Sequence, residues 1–233
     1  MTIDYESLAP PSRRATLGEL RLPLDALRWV PQWWTLPRGR ARVARSVVLL
    51  PGFGAGPGSL VALRRHLERR GHAVADWGLG RNTGRMQQVM PALQARVEAR
   101  VREGGEPVVL VGWSLGGYLA RELARQHPGL ARRVVTLGSP VVGGPRYTAT
   151  ARWYASNGFD LDQIEQAVRQ RYARPLQTPV TAIWSKRDGV VAWQACIDRW
   201  SPDVRHVEVD ESHLGMGFAP RVLAIVAAEV ERD

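Results

Sequence analysis

Residues 108–117 read Val-Val-Leu-Val-Gly-Trp-Ser-Leu-Gly-Gly, and few ten-residue stretches restrict a fold more. Four apolar residues, three of them β-branched, carry the pattern of a buried strand. Gly112-Trp113-Ser114-Leu115-Gly116 follows at once, and then a helical apolar spacing at Leu115, Leu119 and Leu123. Strand, G-x-S-x-G, helix is the context in which this motif makes a nucleophile elbow. A serine hydroxyl is a weak nucleophile until a base holds it, so the tight turn must lift Oγ toward another element. Gly112 and Gly116 lack a Cβ and let the chain pass through strained φ/ψ in crowded surroundings. The bland alternative is a glycine-rich strand–helix turn with an incidental serine. It depends on whether partners for Ser114 follow downstream.

They do follow. Pro179–Ser185 (PVTAIWS) reads as a strand running into Lys186-Arg187-Asp188-Gly189. Val204–Val209 (VRHVEV) alternates like a strand and runs into Asp210-Glu211-Ser212-His213-Leu214-Gly215. Asp188 and His213 therefore fall just beyond strand C-termini, on the edge where Ser114 also emerges and where open α/β sheets form their sites. His213 would take the Ser114 proton, and Asp188 would hold the imidazole tautomer and stabilise its cation.

Other residues compete for both roles. His66 and His72 bracket the end of a surface helix, and His206 lies inside a strand pattern. His127 ends the helix that starts at Ser114, roughly 18 Å away at 1.5 Å per residue. Among the acids, Asp160 has Gln163 three residues on and reads as a helix N-cap. Asp162 lies in the same first turn, Asp198 falls in an expected helix, and Asp203 opens a strand after a Ser-Pro turn. Only Asp188 joins a buried strand before it to a glycine after it.

Attack by a serine on a carbonyl also needs two N–H donors aimed at the developing alkoxide, an oxyanion hole. The Leu115 amide is one, by the geometry of the elbow. The second belongs to the loop after an early strand, Ser46–Leu50, whose continuation Pro51–Gly58 has four glycines in eight residues. Phe53 is the candidate there. A dinucleotide or phosphate loop is excluded, because neither G-x-G-x-x-G nor G-x-x-x-x-G-K-[ST] occurs.

With these segments in hand, the chain resembles the α/β-hydrolase superfamily, in its lipase/esterase branch, from about Arg45 to the C-terminus. The resemblance is carried by Leu50–Gly54, Gly112–Gly117, Leu137-Gly138-Ser139-Pro140, Asp188-Gly189 and Ser212-His213. Gly71-His72 and Trp77–Asn82 are similar to segments of bacterial lipase-like hydrolases. The chain order Ser, Asp, His is that of this superfamily. Many lipases carry His-Gly where this chain has Pro51-Gly52, so the resemblance does not say what supports the oxyanion loop. The serine argues against dehalogenase relatives, which place an aspartate in the elbow.

The remaining segments alternate as an α/β fold should. A helix carries Leu60, Leu63 and Leu67, a strand lies near Ala73–Trp77, and a second helix carries Val89, Leu93, Val97 and Val101. After the elbow helix come a strand at Arg133–Leu137, a helix near Trp193–Trp200 and a last helix near Pro220–Arg232. The expectation is an α/β-hydrolase fold of about six mostly parallel strands flanked by helices. Residues 46–233 form the domain and residues 1–45 an extension packed on or near its core.

Two segments break the alternation. Residues 141–178 lack a strand pattern and bring Tyr147, Trp153, Tyr154 and Phe159, then a helical stripe of Leu161, Ile164, Val168 and Tyr172. The resemblance implies a cap insertion here, whose aromatics would shape an acyl pocket; the plain alternative is a helix packed on the sheet edge. Gly54, Trp113, Trp153, Tyr154 and Leu214 are the candidate substrate contacts. In the extension, Leu17, Leu20, Leu24 and Leu27 have helical spacing around Pro23, and Trp29, Trp33 and Trp34 lead into Arg38, Arg40, Arg42 and Arg45. Tryptophans beside arginines can seat a helix at lipid headgroups, but such a segment more often lays its apolar side on the domain's own core.

Composition narrows the function classes. The net charge is +10, yet lysine occurs only at Lys186, so the excess is arginine spread along the whole chain. No nucleic-acid motif accompanies it. Cys196 is the single cysteine, which excludes an intramolecular disulfide, and no metal-ligand spacing occurs, so no metal or cofactor is expected. The first fourteen residues are polar and contain Asp4 and Glu6, unlike a secretory signal. No run of 18 apolar residues exists to span a bilayer, and a cytoplasmic location is the expectation. The reaction expected is cleavage of small or medium-chain carboxylic esters, or lipids, through an acyl-enzyme. A thioesterase or acyltransferase would use the same residues, and a peripheral membrane-binding protein is the non-enzymatic alternative.

Overall fold

Within the expected strands, successive apolar side chains enter two different layers. Val47, Leu49, Val109, Val111, Val135, Leu137 and Ile183 pack into one core, and Val48, Leu50, Val108, Leu110, Val134 and Val180 into the other. A strand buried on both faces belongs to a parallel sheet covered by helices on each side. The computed structural model, which describes residues 8–232, has that architecture. The strands are β1 (Ser46–Leu50), β2 (Ala73–Asp76), β3 (Val108–Trp113), β4 (Ala131–Leu137), β5 (Val180–Trp184) and β6 (Val204–Glu208). They lie in the order β2-β1-β3-β4-β5-β6, and every pairing is parallel.

The helices are α1 (Arg13–Gly18), α2 (Leu22–Thr35), α3 (Val61–Arg69), α4 (Met86–Gly104), α5 (Leu115–Gln126), α6 (Ala151–Ser156), α7 (Leu161–Arg171) and α8 (Pro220–Val230). Trp29 of α2, Leu63 and Leu67 of α3 and Val222, Leu223 and Val226 of α8 cover one face of the sheet. Leu93 and Val97 of α4 and Leu119 and Leu123 of α5 cover the other. After β1 the chain steps to one neighbour, β2, and then returns to the other side at β3. The loops leaving β1 and β3 diverge there and open a crevice at their C-terminal ends.

Two local expectations change. The helix expected near Trp193–Trp200 is only a 3-10 turn, Trp193–Cys196. The Asp198 carboxylate accepts from the Trp200 and Ser201 amides, and His206 Nε2 accepts from the Asp198 amide. These local bonds compete with the helical ladder. Cys196 is buried there among apolar neighbours.

The second change concerns the extension. Only part of its apolar side packs on the core: Trp29 enters it and Leu22 and Leu36 pack against it, whereas Leu17, Leu20, Leu24 and Leu27 face outward and Glu19 and Asp25 are buried. Polar bonding sets this orientation. Glu19 receives backbone donors from across the fold, Asp25 meets Arg187, and Trp29 Nε1 donates to Glu211 at 3.0 Å.

Asp198 also forms a buried ion pair with Arg121 of α5. Burial opposes its charge, but the guanidinium and the amide donors hold its pKa down at about 2. Asp198→Ala should therefore cost about 3–5 kcal/mol at neutral pH by leaving Arg121 buried and unpaired, read from the urea midpoint. The depressed carboxylate contributes stability above its unfolded pKa of about 3.9 and loses it as pH falls through about 2. The gap between parent and variant should shrink across that window.

Candidate active site

Ser114 follows β3 at the divergence of the β1 and β3 loops. Its φ of 54° and ψ of −122° make it the one non-glycine residue at positive φ among the described residues. Such a conformation costs on the order of 1–3 kcal/mol and persists only where its surroundings fix it. They do so by close packing: a Cβ on Gly116 would run into the Leu50 carbonyl, one on Gly112 into the Gly116–Gly117 peptide, and one on Gly117 into Ser139 Oγ. The start of α5 thus sits against the ends of β1 and β3, and the Ser114 amide donates to the Leu137 carbonyl at 2.7 Å.

Asp188 lies in the loop after β5 and His213 in the loop after β6, both buried. His213 Nδ1 meets Asp188 Oδ2 at 2.7 Å, and Asp188 Oδ1 accepts from the Val190 and Val191 amides at 2.9 and 2.7 Å. Burial works against the imidazolium, but the charge and hydrogen bond of Asp188, with Glu19 further out, raise the His213 pKa above its ordinary value. Gly138 (φ 52°) leaves room for the pair, since a Cβ there would lie 2.7 Å from Asp188 Oδ2 and 2.9 Å from His213 Nδ1. The rival residues are engaged elsewhere. Asp160 caps α7, Asp162 pairs with Arg146, His72 Nδ1 accepts from the Arg45 amide, and burial pushes His66 down to about 4.

Ser114 and His213 open onto one cavity of about 700 Å³. Phe53 and Leu115 line it as well. Leu115 opens α5, so its N–H has no acceptor within the helix. On the other loop the Gly54 and Ala55 amides donate to the Asn82 and Gly52 carbonyls. Of the candidate substrate contacts, Trp113, Tyr154 and Leu214 line the cavity, whereas Gly54 and Trp153 are not among the lining residues. Trp153 is 44 % exposed and packs on Phe53, ring centroids 4.8 Å apart. The segment between β4 and β5 contributes Tyr154, Phe159, Ile164 and Val168 to the wall.

Two residues that brace the cavity loops receive no role from the sequence. Asn82 is fully buried; its Nδ2 donates to the Pro51 carbonyl at 2.8 Å and its backbone brackets the loop through Gly54 and Ala55. With Arg81 Nε donating to the Gly54 carbonyl, it supports the Phe53 loop. The other is Glu19. Its Oε1 accepts from the Gly189 and His213 amides at 2.8 and 2.9 Å, and its Oε2 from the Leu214 amide at 2.9 Å. One carboxylate thereby ties together the loops that carry Asp188 and His213. The available signal was that Glu19 and Asp25 are the only acids in residues 8–45.

The alpha/beta hydrolase family model matches residues 47–228. The chain is 37% identical over 110 residues to pimeloyl-[acyl-carrier protein] methyl ester esterase of Aromatoleum aromaticum, covering 46% of this chain and 42% of that protein. It is 30% identical over 132 residues to the Sodalis glossinidius enzyme of the same name, covering 56% and 49%. The chain thus spans about half the length of the curated relatives it matches. Among solved structures, it is similar to Bacillus licheniformis lipase BlEst2 in mature form (TM-score 0.66, 15% identity, 83% of this chain and 94% of that one). It is also similar to a structure from the metagenome-derived lipolytic enzymes LipS and LipT (TM-score 0.64, 17% identity, 85% and 99%). At these identities the likeness is one of fold.

Removing the Glu19 carboxylate orphans three amides at once. Glu19→Ala should destabilise the protein by about 2–4 kcal/mol, given about 1–3 kcal/mol for each unmet buried donor and some rehydration. Hydrogen exchange at Gly189, His213 and Leu214 should accelerate while the β3 amides stay protected. Unchanged protection at those three sites would contradict the tie.

Proposed function

Because the chain belongs to the alpha/beta hydrolase family, we propose that it hydrolyses carboxylic esters through an acyl-enzyme formed on Ser114. The observation that carries this reading is the 2.7 Å bond between His213 and Asp188 beside the strained turn that holds Ser114. Ser114 Oγ attacks the ester carbonyl carbon as His213 Nε2 takes its proton, and Asp188 stabilises the imidazolium through Nδ1–H. The carbonyl oxygen becomes an oxyanion held by the Phe53 and Leu115 amides, each worth about 3 kcal/mol by analogy with measured losses. Collapse expels the alcohol, protonated by His213. Water then repeats the sequence and releases the acid.

The cavity supports a substrate class. Its wall is mostly apolar, and the segment between β4 and β5 acts as a cap that supplies Tyr154, Phe159, Ile164 and Val168. Burial pushes the Tyr154 hydroxyl up to about 12, so it stays neutral against an acyl chain. The curated relatives are named for the methyl ester of a carrier-bound acyl chain. A medium-length acyl ester of a small alcohol fits both observations, each buried CH₂ contributing about 0.8 kcal/mol.

Ser114→Ala should abolish fluorophosphonate labelling without lowering Tm, and His213→Ala should reduce kcat by at least about a thousandfold because the residues act as a unit. Persistent labelling of Ser114→Ala would refute the assignment. The base must be neutral to accept a proton, so its raised pKa moves the rising limb of kcat/KM to higher pH. That limb should be centred above about 6.5, the ordinary imidazole value.

The cap is tested by acyl length. Tyr154→Ala should lower kcat/KM for hexanoyl and octanoyl esters by about tenfold, roughly two buried CH₂ groups, and for acetate by much less. Equal losses across the series would show that the cap does not hold the acyl chain.

A further inference from the structure

The N-terminal helices present an apolar row to solvent. Leu17, Leu20, Leu24, Leu27 and Trp34 recur at helical spacing, and each is 63–76 % exposed. The charges of the same segment are sorted. Glu19 and Asp25, its only acids, are buried against the fold, whereas seven arginines between Arg13 and Arg42 are exposed, of which Arg28 is held by Asp25 and Asp210. The exposed surface of residues 8–45 thus combines large apolar side chains with arginines and has no exposed carboxylate of its own.

We propose that this face docks the protein on an anionic lipid surface. An amphipathic helix lies in the headgroup plane when its apolar side enters the acyl boundary and its cations meet lipid phosphates. The 14 residues of α2 are too few to cross a bilayer, and among the described residues no helix is long and apolar enough to do so. Contact is therefore along the surface. Trp34, with the Arg38 guanidinium 5.8 Å from its ring centre, suits the interface, where an aromatic ring and a cation share one depth. Trp34 also walls an apolar groove of about 700 Å³ with Val30, Trp33 and Leu36, with Arg38 and Arg69 at its rim.

Charge selects this occupant over the others. A second copy seated on the face would bring the same arginines against each other with no carboxylate from either segment between them. Nucleic acid would satisfy the arginines but leave the leucine row against a polar backbone. An anionic bilayer answers both halves of the surface. This proposal does not depend on the reaction at Ser114.

The test is co-sedimentation of the full chain with vesicles of phosphatidylcholine alone and of an equal phosphatidylcholine–phosphatidylglycerol mixture. Binding should be strong to the mixture, weak to the neutral vesicles and reduced by added salt. The double variant Leu24→Gln, Leu27→Gln should bind the mixture at least about tenfold more weakly, with its circular dichroism and its turnover of a water-soluble acetate ester unchanged. Failure of the parent protein to sediment with the anionic vesicles, or undiminished binding by the double variant, would overturn the proposal. So would a dimer in sedimentation velocity that the double variant breaks, which would assign the face to a second copy.

Discussion

The missing Cβ atoms at Gly112, Gly116 and Gly117 set the distance between α5 and the ends of β1 and β3. That distance decides much else. It forces the turn between β3 and α5 to close over one residue, which drives Ser114 into positive φ. It places the start of α5 beside the loop after β1, so Leu115 and Phe53 line one cavity. Any methyl group at these positions would push the helix off the sheet and separate the elements that define the crevice. The helix then needs a partner on its far side, and the buried Arg121–Asp198 pair supplies one beyond the core proper.

Much of this was legible because the physics involved is local. Period-two burial is written in Val47–Leu50 and Val108–Val111, and the glycines of the elbow announce a tight approach. Strand ends could be matched to Asp188 and His213 because each followed a run of β-formers. Failures came where long-range polar bonds outweighed a local pattern. The Leu17–Leu27 row says that a helix is amphipathic but not which side meets the protein; Glu19, Asp25 and Trp29 decided that through partners about 160–195 residues away. The Trp193–Trp200 helix gave way for a different, local reason: the Asp198 carboxylate accepts from the Trp200 and Ser201 amides and competes with the helical ladder. Asn82 was visible as part of a resemblance, but its grip on the Pro51 carbonyl needs the β1 and β2 loops side by side.

The site is buttressed from opposite directions. From the sheet side, Gly138 makes room for Asp188 and His213, and the Val190 and Val191 amides fix the carboxylate. From the outside, Glu19 fixes the backbones that carry them. Rigid backing on both sides suits a constellation that must be held within a fraction of an ångström. The cavity wall opposite is different in kind: Tyr154 lies between positive-φ glycines at Gly144 and Gly158, Phe159 directly follows the latter, and the two pack ring against ring.

The position of Glu19 has a consequence for what counts as the unit of this protein. The recognisable family region begins at residue 47, yet the acceptor for three amides of the loops that carry Asp188 and His213 lies at residue 19. A fragment cut to the recognisable boundaries would keep all six strands but for Ser46, and would keep Ser114, Asp188 and His213. It would still lose the carboxylate that seals the two loops and the indole of Trp29 that fills the core beneath them. Inheritance defines one boundary in this chain, and hydrogen bonding defines another.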